Sequence, residues 1–230
     1  MSPNDDRTTG RRVDAYFTAS FEVARRLADN HGDQAVAILR KELDRLPRDE
    51  EAAGRRFLMS QIAVCHARMA DVEALRDALE EMEDTLPHEF ETALMLSEGY
   101  LLLAKDAERA SAHASSALEW AVEHGEDSEE PLARAQGLLA RALLASRDVT
   151  GAFGAWSSSP LPDWRLAVEL IEAGASRDDV RAALLEAIPR HEESERRLGA
   201  EATASSDQMR RMVKWIDAGC PRTAVRSKTR

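Results

Sequence analysis

Ala70-Asp71-Val72-Glu73, Lys105-Asp106-Ala107-Glu108 and Arg147-Asp148-Val149-Thr150 are three occurrences of one short signal between Met59 and Trp156. In each, a small polar step precedes a new apolar helix. The aspartates stand at 71, 106 and 148, spaced 35 and 42 residues apart, and Gly32-Asp33-Gln34-Ala35 is a weaker fourth instance 38 residues upstream. A period in this range marks stacked helix pairs, each too small to bury its own apolar face alone. The fold reading follows from that period.

The composition agrees. Of 230 residues, 43% are hydrophobic and only 5% aromatic, with alanine and leucine dominating the apolar runs. Such runs favour helix, because neither residue loses much side-chain freedom there. The expected class is all-α.

The formal net charge of -11 is unevenly spread. Residues 71–130 hold eighteen acids against Arg76, Lys105 and Arg109, whereas every charged side chain after Gly219 is basic. An acidic middle repels nucleic acid and steers basic partners; the basic tail does the reverse more weakly. Two cysteines, Cys65 and Cys220, supply neither a disulfide framework nor a metal motif. The first residues lack the apolar run of a signal peptide, and no apolar stretch approaches 18 residues, so no membrane crossing is expected. A cytoplasmic address follows by elimination.

Along the chain, residues 1–13 read as a disordered N-terminus. A first helix is expected from Asp14, carrying Phe17, Phe21, Ala24 and Leu27, with Gly32 as a left-handed stop. The second runs from Ala35 to Leu46 and ends at Pro47. Leu58, Ile62, Cys65 and Met69 form the next stripe, answered by Val72, Leu75, Leu79 and Met82. After Pro87, Phe90, Leu94 and Leu101 share a face, and Leu102, Leu103 and Ala104 broaden it. The return helix carries Ala107, Ala110, Ala114, Ala117 and Ala121, a row small enough for close approach to a neighbouring backbone. His124–Glu129 is a loop, and Leu132, Leu139 and Leu143 carry the helix after it, flanked by Ala135 and Ala142. Ser157–Pro162 is the strong internal boundary. Trp156 and Trp164 flank that break and are expected to pack its seam. Beyond it come a helix from Asp163 to Gly174, one capped by Ser176 with Val180, Leu184, Leu185 and Ile188 buried, an interruption at Pro189, and a last amphipathic helix with Met209, Met212, Val213 and Ile216. The domains read as 1–13, a repeat region 14–159, a capping region 160–218 and a basic flexible tail 219–230.

The central units resemble tetratricopeptide repeats. That pattern wants a small residue eight positions before each turn aspartate, where Ala63, Glu98 and Ala140 stand, and another four after it, where Leu75, Ala110 and Ala152 stand. The resemblance covers roughly residues 14–159. It implies a right-handed solenoid of stacked antiparallel hairpins, extended here by C-terminal helices, with a concave surface that binds a peptide or helix and has no intrinsic catalysis or cofactor. Members that clamp a terminal carboxylate use basic and amide side chains on the first helices. Here these helices offer chiefly His66, Arg68, Arg134 and Arg141, so an acidic groove for a basic or amphipathic ligand is expected instead.

No glycine loop follows a strand pattern, and no two histidines have ligand spacing. Cys65 and His66 are adjacent on a helix and point about 100° apart, so they cannot act as nucleophile and base. The expected function is a non-catalytic binding module, with His66, Tyr100, Glu80, Glu83, Asp84, Glu91, Glu98, Arg134 and Arg141 as partner-binding residues. Tyr100 lies off the Leu94–Leu101 stripe and is expected to face the groove. The expected partner is another protein, through a basic segment; nucleic acid and membrane are not expected. An accessory-subunit role, with the C-terminal helices as a permanent or homo-oligomeric interface, is the alternative, and an all-helical enzyme ranks third.

Overall fold

The computed structural model describes residues 22–23, 25–27, 31–46, 52–124, 129–198 and 205–220. The N-terminal segment 1–13, the first helix's start at Asp14 with Phe17 and Phe21, the centre of the His124–Glu129 loop and residues 221–230 of the basic tail lie outside them. Among the described residues there is no strand, and no helix is long and apolar enough to cross a membrane. The chain forms two compact units, Met1–Asp106 and Ala107–Arg230. The boundary falls at the middle hairpin turn, and Ser157–Pro162 lies inside the second unit.

The first unit contains α1 (Gly32–Arg45), α2 (Ala52–Arg68), α3 (Val72–Thr85), α4 (Phe90–Glu98) and a π-helical segment π1 (Gly99–Ala104) that continues α4. Helix α2 packs on both α1 and α3, and π1 closes against α2 and α3. Leu39, Leu58, Ile62, Cys65, Leu79 and Met82 are fully buried between them. Val72 departs from its expected stripe and is 54% exposed, because it occupies the first helical position, where α3 leaves the turn.

The repeated aspartate signal has a defined geometry. Ala70, Lys105 and Arg147, each just before its aspartate, have positive φ of 58°, 58° and 67°. This left-handed residue ends the first helix in two of the turns by paired hydrogen bonds. Asp71 N–H donates to His66 O (3.1 Å) and Ala70 N–H to Ala67 O (3.1 Å); Asp148 N–H donates to Leu143 O (2.9 Å) and Arg147 N–H to Leu144 O (3.0 Å). The aspartate then starts the next helix: Asp71 Oδ1 accepts from Ala74 N–H (3.1 Å), and Asp148 Oδ1 from Gly151 N–H (2.9 Å). Gly32 is not such a residue. It is the buried first residue of α1, and a Cβ there would stand 2.3 Å from Met69 Sδ, so close approach rather than handedness accounts for it.

The second unit contains α5 (Ala107–His124), α6 (Glu129–Ala145), α7 (Val149–Ser157), α8 (Trp164–Ala173), α9 (Arg177–Leu198) and α10 (Ser205–Asp217). Helices α5 and α6 pack along the alanine row, in which Ala110, Ala114 and Ala117 have no exposed area. The opposing face of α6 is Ala135, Leu138 and Ala142, while Leu132, Leu139 and Leu143 are only half-buried. Small side chains occupy the crossing, so the leucines move to its flanks.

One apolar cluster runs from Ala140 through Trp156, Leu166, Leu184 and Met209 to Ile216, across the serine-proline segment. Trp156 is wholly buried and donates its indole N–H to Asp163 O (2.8 Å), while Trp164 packs at the cluster's edge. Asp163 also caps α8 through Arg165 N–H (3.0 Å) and pairs with Arg141 (2.7 Å). Gly174, at φ 109°, ends α8, and Ser176 Oγ accepts from Asp179 N–H. Leu185 departs from the expected buried set and is 43% exposed. Helix α9 runs unbroken through Pro189, where an interruption was expected. The loss of a donor inside a helix costs about 3 kcal/mol. Burial of Ala187 and Ile188 before the proline, and a polar junction after it, offset that cost.

At this junction Glu195 accepts from Ser206 N–H (2.8 Å) and Ser206 Oγ (2.6 Å) at the start of α10. Burial pushes the Glu195 pKa up, but the hydrogen bonds from Ser206 and Ser205 and the nearby His191 outweigh it and leave the carboxyl below its usual range. One turn earlier, burial depresses the His191 pKa, against the opposing pull of a hydrogen bond to the Pro162 carbonyl and of Glu195 and Asp163; its Nε2 is buried without a partner.

Three outcomes follow from this architecture. Ala114→Leu overpacks the α5–α6 contact and lowers stability by about 1–3 kcal/mol in a denaturant titration; an unchanged midpoint would contradict the close crossing. A left-handed non-glycine residue costs roughly 1–2 kcal/mol, and glycine returns roughly 0.5–1 of that as chain entropy, so Arg147→Gly stabilises by up to about 1.5 kcal/mol. The third concerns pH. A histidine whose folded pKa is depressed leaves the unfolded chain holding more protons below about pH 6.5, so stability falls as pH drops through that value. Glu195 adds a further loss as pH falls through the carboxylate range. His191→Gln therefore shrinks the stability difference between pH 7.5 and 5.5, measured by denaturant titration at both; an unaltered difference would remove His191 as its source.

Candidate functional site

Glu91, Met95 and Glu98 follow one another at spacings of four and three along α4, which places them on a single face, and Leu102 of π1 joins Met95 and Glu98 at one cavity. Glu91 and Glu98 are exposed, Met95 is half-buried and Leu102 is 56% exposed. Beside this strip opens a cavity of about 260 Å³ within the first unit. Val64 of α2, Leu79 and Met82 of α3, and Met95, Leu102 and Leu103 supply its apolar walls. Its side-chain polar groups come from Ser60 and Glu98. Ser60 Oγ is engaged within its own helix, donating to Phe57 O (2.8 Å), so the Glu98 carboxylate is the cavity's principal polar feature. Phe57, one turn before Ser60, is 41% exposed.

The π-helical segment explains why Glu98 stands here. In the flanking hairpins the aspartate N–H bonds back five residues, to His66 O or Leu143 O; Asp106 N–H bonds back six, to Tyr100 O (2.8 Å). The middle unit thus carries one extra residue in its turn. Counting through it, the register position filled by Ala63 and Ala140 falls on Ser97, which is fully buried, rather than on Glu98. Glu98 takes the position of Val64, which is half-buried, and of Arg141, which is exposed.

Tyr100 is not a groove residue. It is 1% exposed, and its hydroxyl donates to Glu83 Oε2 (3.1 Å), tying π1 to α3. Glu80 and Asp84 lie on the solvent side of α3, away from its buried Leu75, Leu79 and Met82. His66 is half-buried near the end of α2 with Nδ1 enclosed and unpartnered, and it does not line the cavity. Arg134 and Arg141 are exposed on α6 in the second unit, where Arg141 is held by Asp163. Of the residues expected from sequence, the cavity takes in Glu98 alone, with Glu91 one step along the same strip. Val64, Met82, Met95 and Leu102 had not been singled out as site residues. The signal for them was the misfit of Glu98 at a small position, with a serine one residue earlier.

A second, polar cavity of about 460 Å³ lies among Arg40, Asp44, Arg55, Glu81 and Thr85, and two of its charges pair across it: Arg40 Nη1 donates to Glu81 Oε1 at 2.6 Å. The Cys65 thiol is buried and its pKa is pushed up by that burial, which favours the protonated thiol. Among the described residues, no three of histidine, cysteine, aspartate and glutamate gather as a metal set. The Met209, Met212 and Ile216 face of α10 is buried in its own unit's cluster. No protein-family model, curated protein or solved structure matches the chain.

Proposed function

We propose that this protein is a cytoplasmic, non-catalytic binding module of tetratricopeptide-like helix hairpins that captures a basic, amphipathic segment of another protein. The observation that carries this reading is the mixed strip of Glu91, Met95, Glu98 and Leu102 beside an apolar cavity. Isolated exposed leucines need no explanation, but an exposed leucine and a half-buried methionine bracketing a carboxylate at a cavity mouth match a ligand with both apolar and cationic groups. The chemistry of the surrounding chain points the same way. Between residues 71 and 104 there are ten acids and a single base, Arg76. A field of that sign accelerates encounter with a cationic segment and makes the on-rate fall with salt.

The accessory-subunit alternative takes the helices of residues 163–188 and 207–219 as permanent contacts, with Met209, Met212 and Ile216 as its exposed apolar face. Burial of those three side chains within the unit removes that face from its support and favours the first reading.

Selection of a random 16-residue peptide library against the intact protein tests the reading. Enriched sequences carry an excess of lysine or arginine interspersed with large apolar residues. Their affinity falls at least several-fold between 50 and 300 mM salt, and falls again in Glu91→Lys/Glu98→Lys. Enriched peptides with no basic excess, or peptides insensitive to both challenges, would refute the acidic-face reading.

A further inference from the structure

We infer that the cavity between α2, α3 and π1 is a socket for one large apolar side chain of the captured segment, with Glu98 pairing to a cation one helical turn from that side chain. This rests on the binding-module reading above and adds the anchor that gives it specificity. The size fits: an apolar protein cavity of roughly 150 Å³ admits benzene, and about 260 Å³ holds a phenylalanine or leucine side chain with room to adjust. The walls fit as well. Met82 and Met95 are unbranched and polarizable and mould to different apolar shapes. Leu102, more than half exposed, stands at the rim, where an inserted side chain would cover it.

The charge arrangement selects the occupant. Glu81 is paired with Arg40, Glu89 with Arg56, and Glu83 accepts from Tyr100, so these carboxylates are engaged within the fold. Glu98 lies at the cavity itself, against low-dielectric walls that strengthen its attraction for a cation. A neutral apolar segment would fill the socket but leave that carboxylate partly desolvated and unpaired. A lysine or arginine at i±4 from the buried side chain corrects this, since those positions share one face of a bound helix.

The probes are two synthetic 16-residue peptides on a lysine/alanine/glutamine background, identical except for phenylalanine or alanine at position 8, with lysines at 4 and 12. Each is titrated into full-length protein labelled at the methionine methyl groups. We expect both to bind in a salt-dependent manner, the phenylalanine peptide about tenfold more tightly. Only that peptide shifts the Met82 and Met95 methyl resonances, leaving those of Met209 and Met212 in place. Val64→Trp, which fills the socket, removes the tenfold difference while keeping the charge-driven binding; Leu102→Ser, at an exposed position that leaves folding intact, reduces it. Glu98→Gln weakens both peptides. Equal, salt-sensitive binding of both peptides with unmoved Met82 and Met95 would overturn the socket and leave the acidic face standing. Binding of neither would overturn both.

Discussion

Each central hairpin depends on one left-handed residue followed by an aspartate. Reversal of a helix within two residues leaves carbonyls at one end and N–H groups at the other without intrahelical partners. At Ala70-Asp71 and Arg147-Asp148 the same two residues satisfy both sets: the left-handed residue folds its N–H groups back onto the last turn, and the aspartate accepts from the next. The second helix therefore leaves at a fixed angle, and the small residues Ala63 and Ala140, both wholly buried, meet its side chains at close range. Gly174 and Gly219 end their helices the same way with the residue that bears the conformation at no steric cost. At Ala70 and Arg147 an alanine and an arginine carry it, so the packing of the paired helices on either side outweighs the local strain.

The middle hairpin shows what happens when this geometry is kept but the helix before it gains a residue. Lys105 is left-handed like its counterparts, yet the closing bond from Asp106 reaches Tyr100, six residues back. The wider π turn absorbs the insertion, and the buried Ser97 takes the register position held by Ala63 and Ala140. Everything after Ser97 is rotated relative to an ideal helix: Glu98 goes to the surface, Tyr100 turns inward to Glu83, and Leu102 comes out. Gly99, Leu102 and Leu103 of this turn line the cavity together with residues of α2 and α3. The cavity and the exposed rim thus have a common origin in one extra residue.

This origin explains which features were legible beforehand. The helical class, the hairpin turns, the alanine row and the buried Trp156 were readable because each rests on local periodicity or on a turn signal of adjacent residues. Glu91 and Glu98 were readable as exposed carboxylates for the same reason. Tyr100 was misplaced because helical spacing assumes 3.6 residues per turn, and a π turn shifts every angle after it. Pro189 was read as a break because its local cost is certain, whereas the compensating contacts at Ala187, Ile188 and Glu195 are tertiary. Gly32 reads locally as a turn residue, whereas its close approach to Met69 is a contact across 37 residues. The apolar half of the candidate site was hidden in the same way, since Val64, Met82 and Met95 come from three different helices.

Charge count alone would have been a poor guide to the working surface. Several of the acids concentrated after Asp71 are engaged: Glu81 and Glu89 by arginines, Glu83 by a buried tyrosine. An exposed ion pair such as Arg40–Glu81 contributes little to stability, about 0–1 kcal/mol. The larger effect of such pairs is to decide which carboxylates face outward with capacity to spare. A carboxylate fully surrounded by water attracts a cation weakly and without preference for what the cation is attached to. One beside an apolar cavity does both more strongly and more selectively, because the same ligand must satisfy the charge and fill the space. Glu98 is placed in that second situation by the inserted residue, and its recognition value comes from its position on the helix rather than from the acidity of the segment around it.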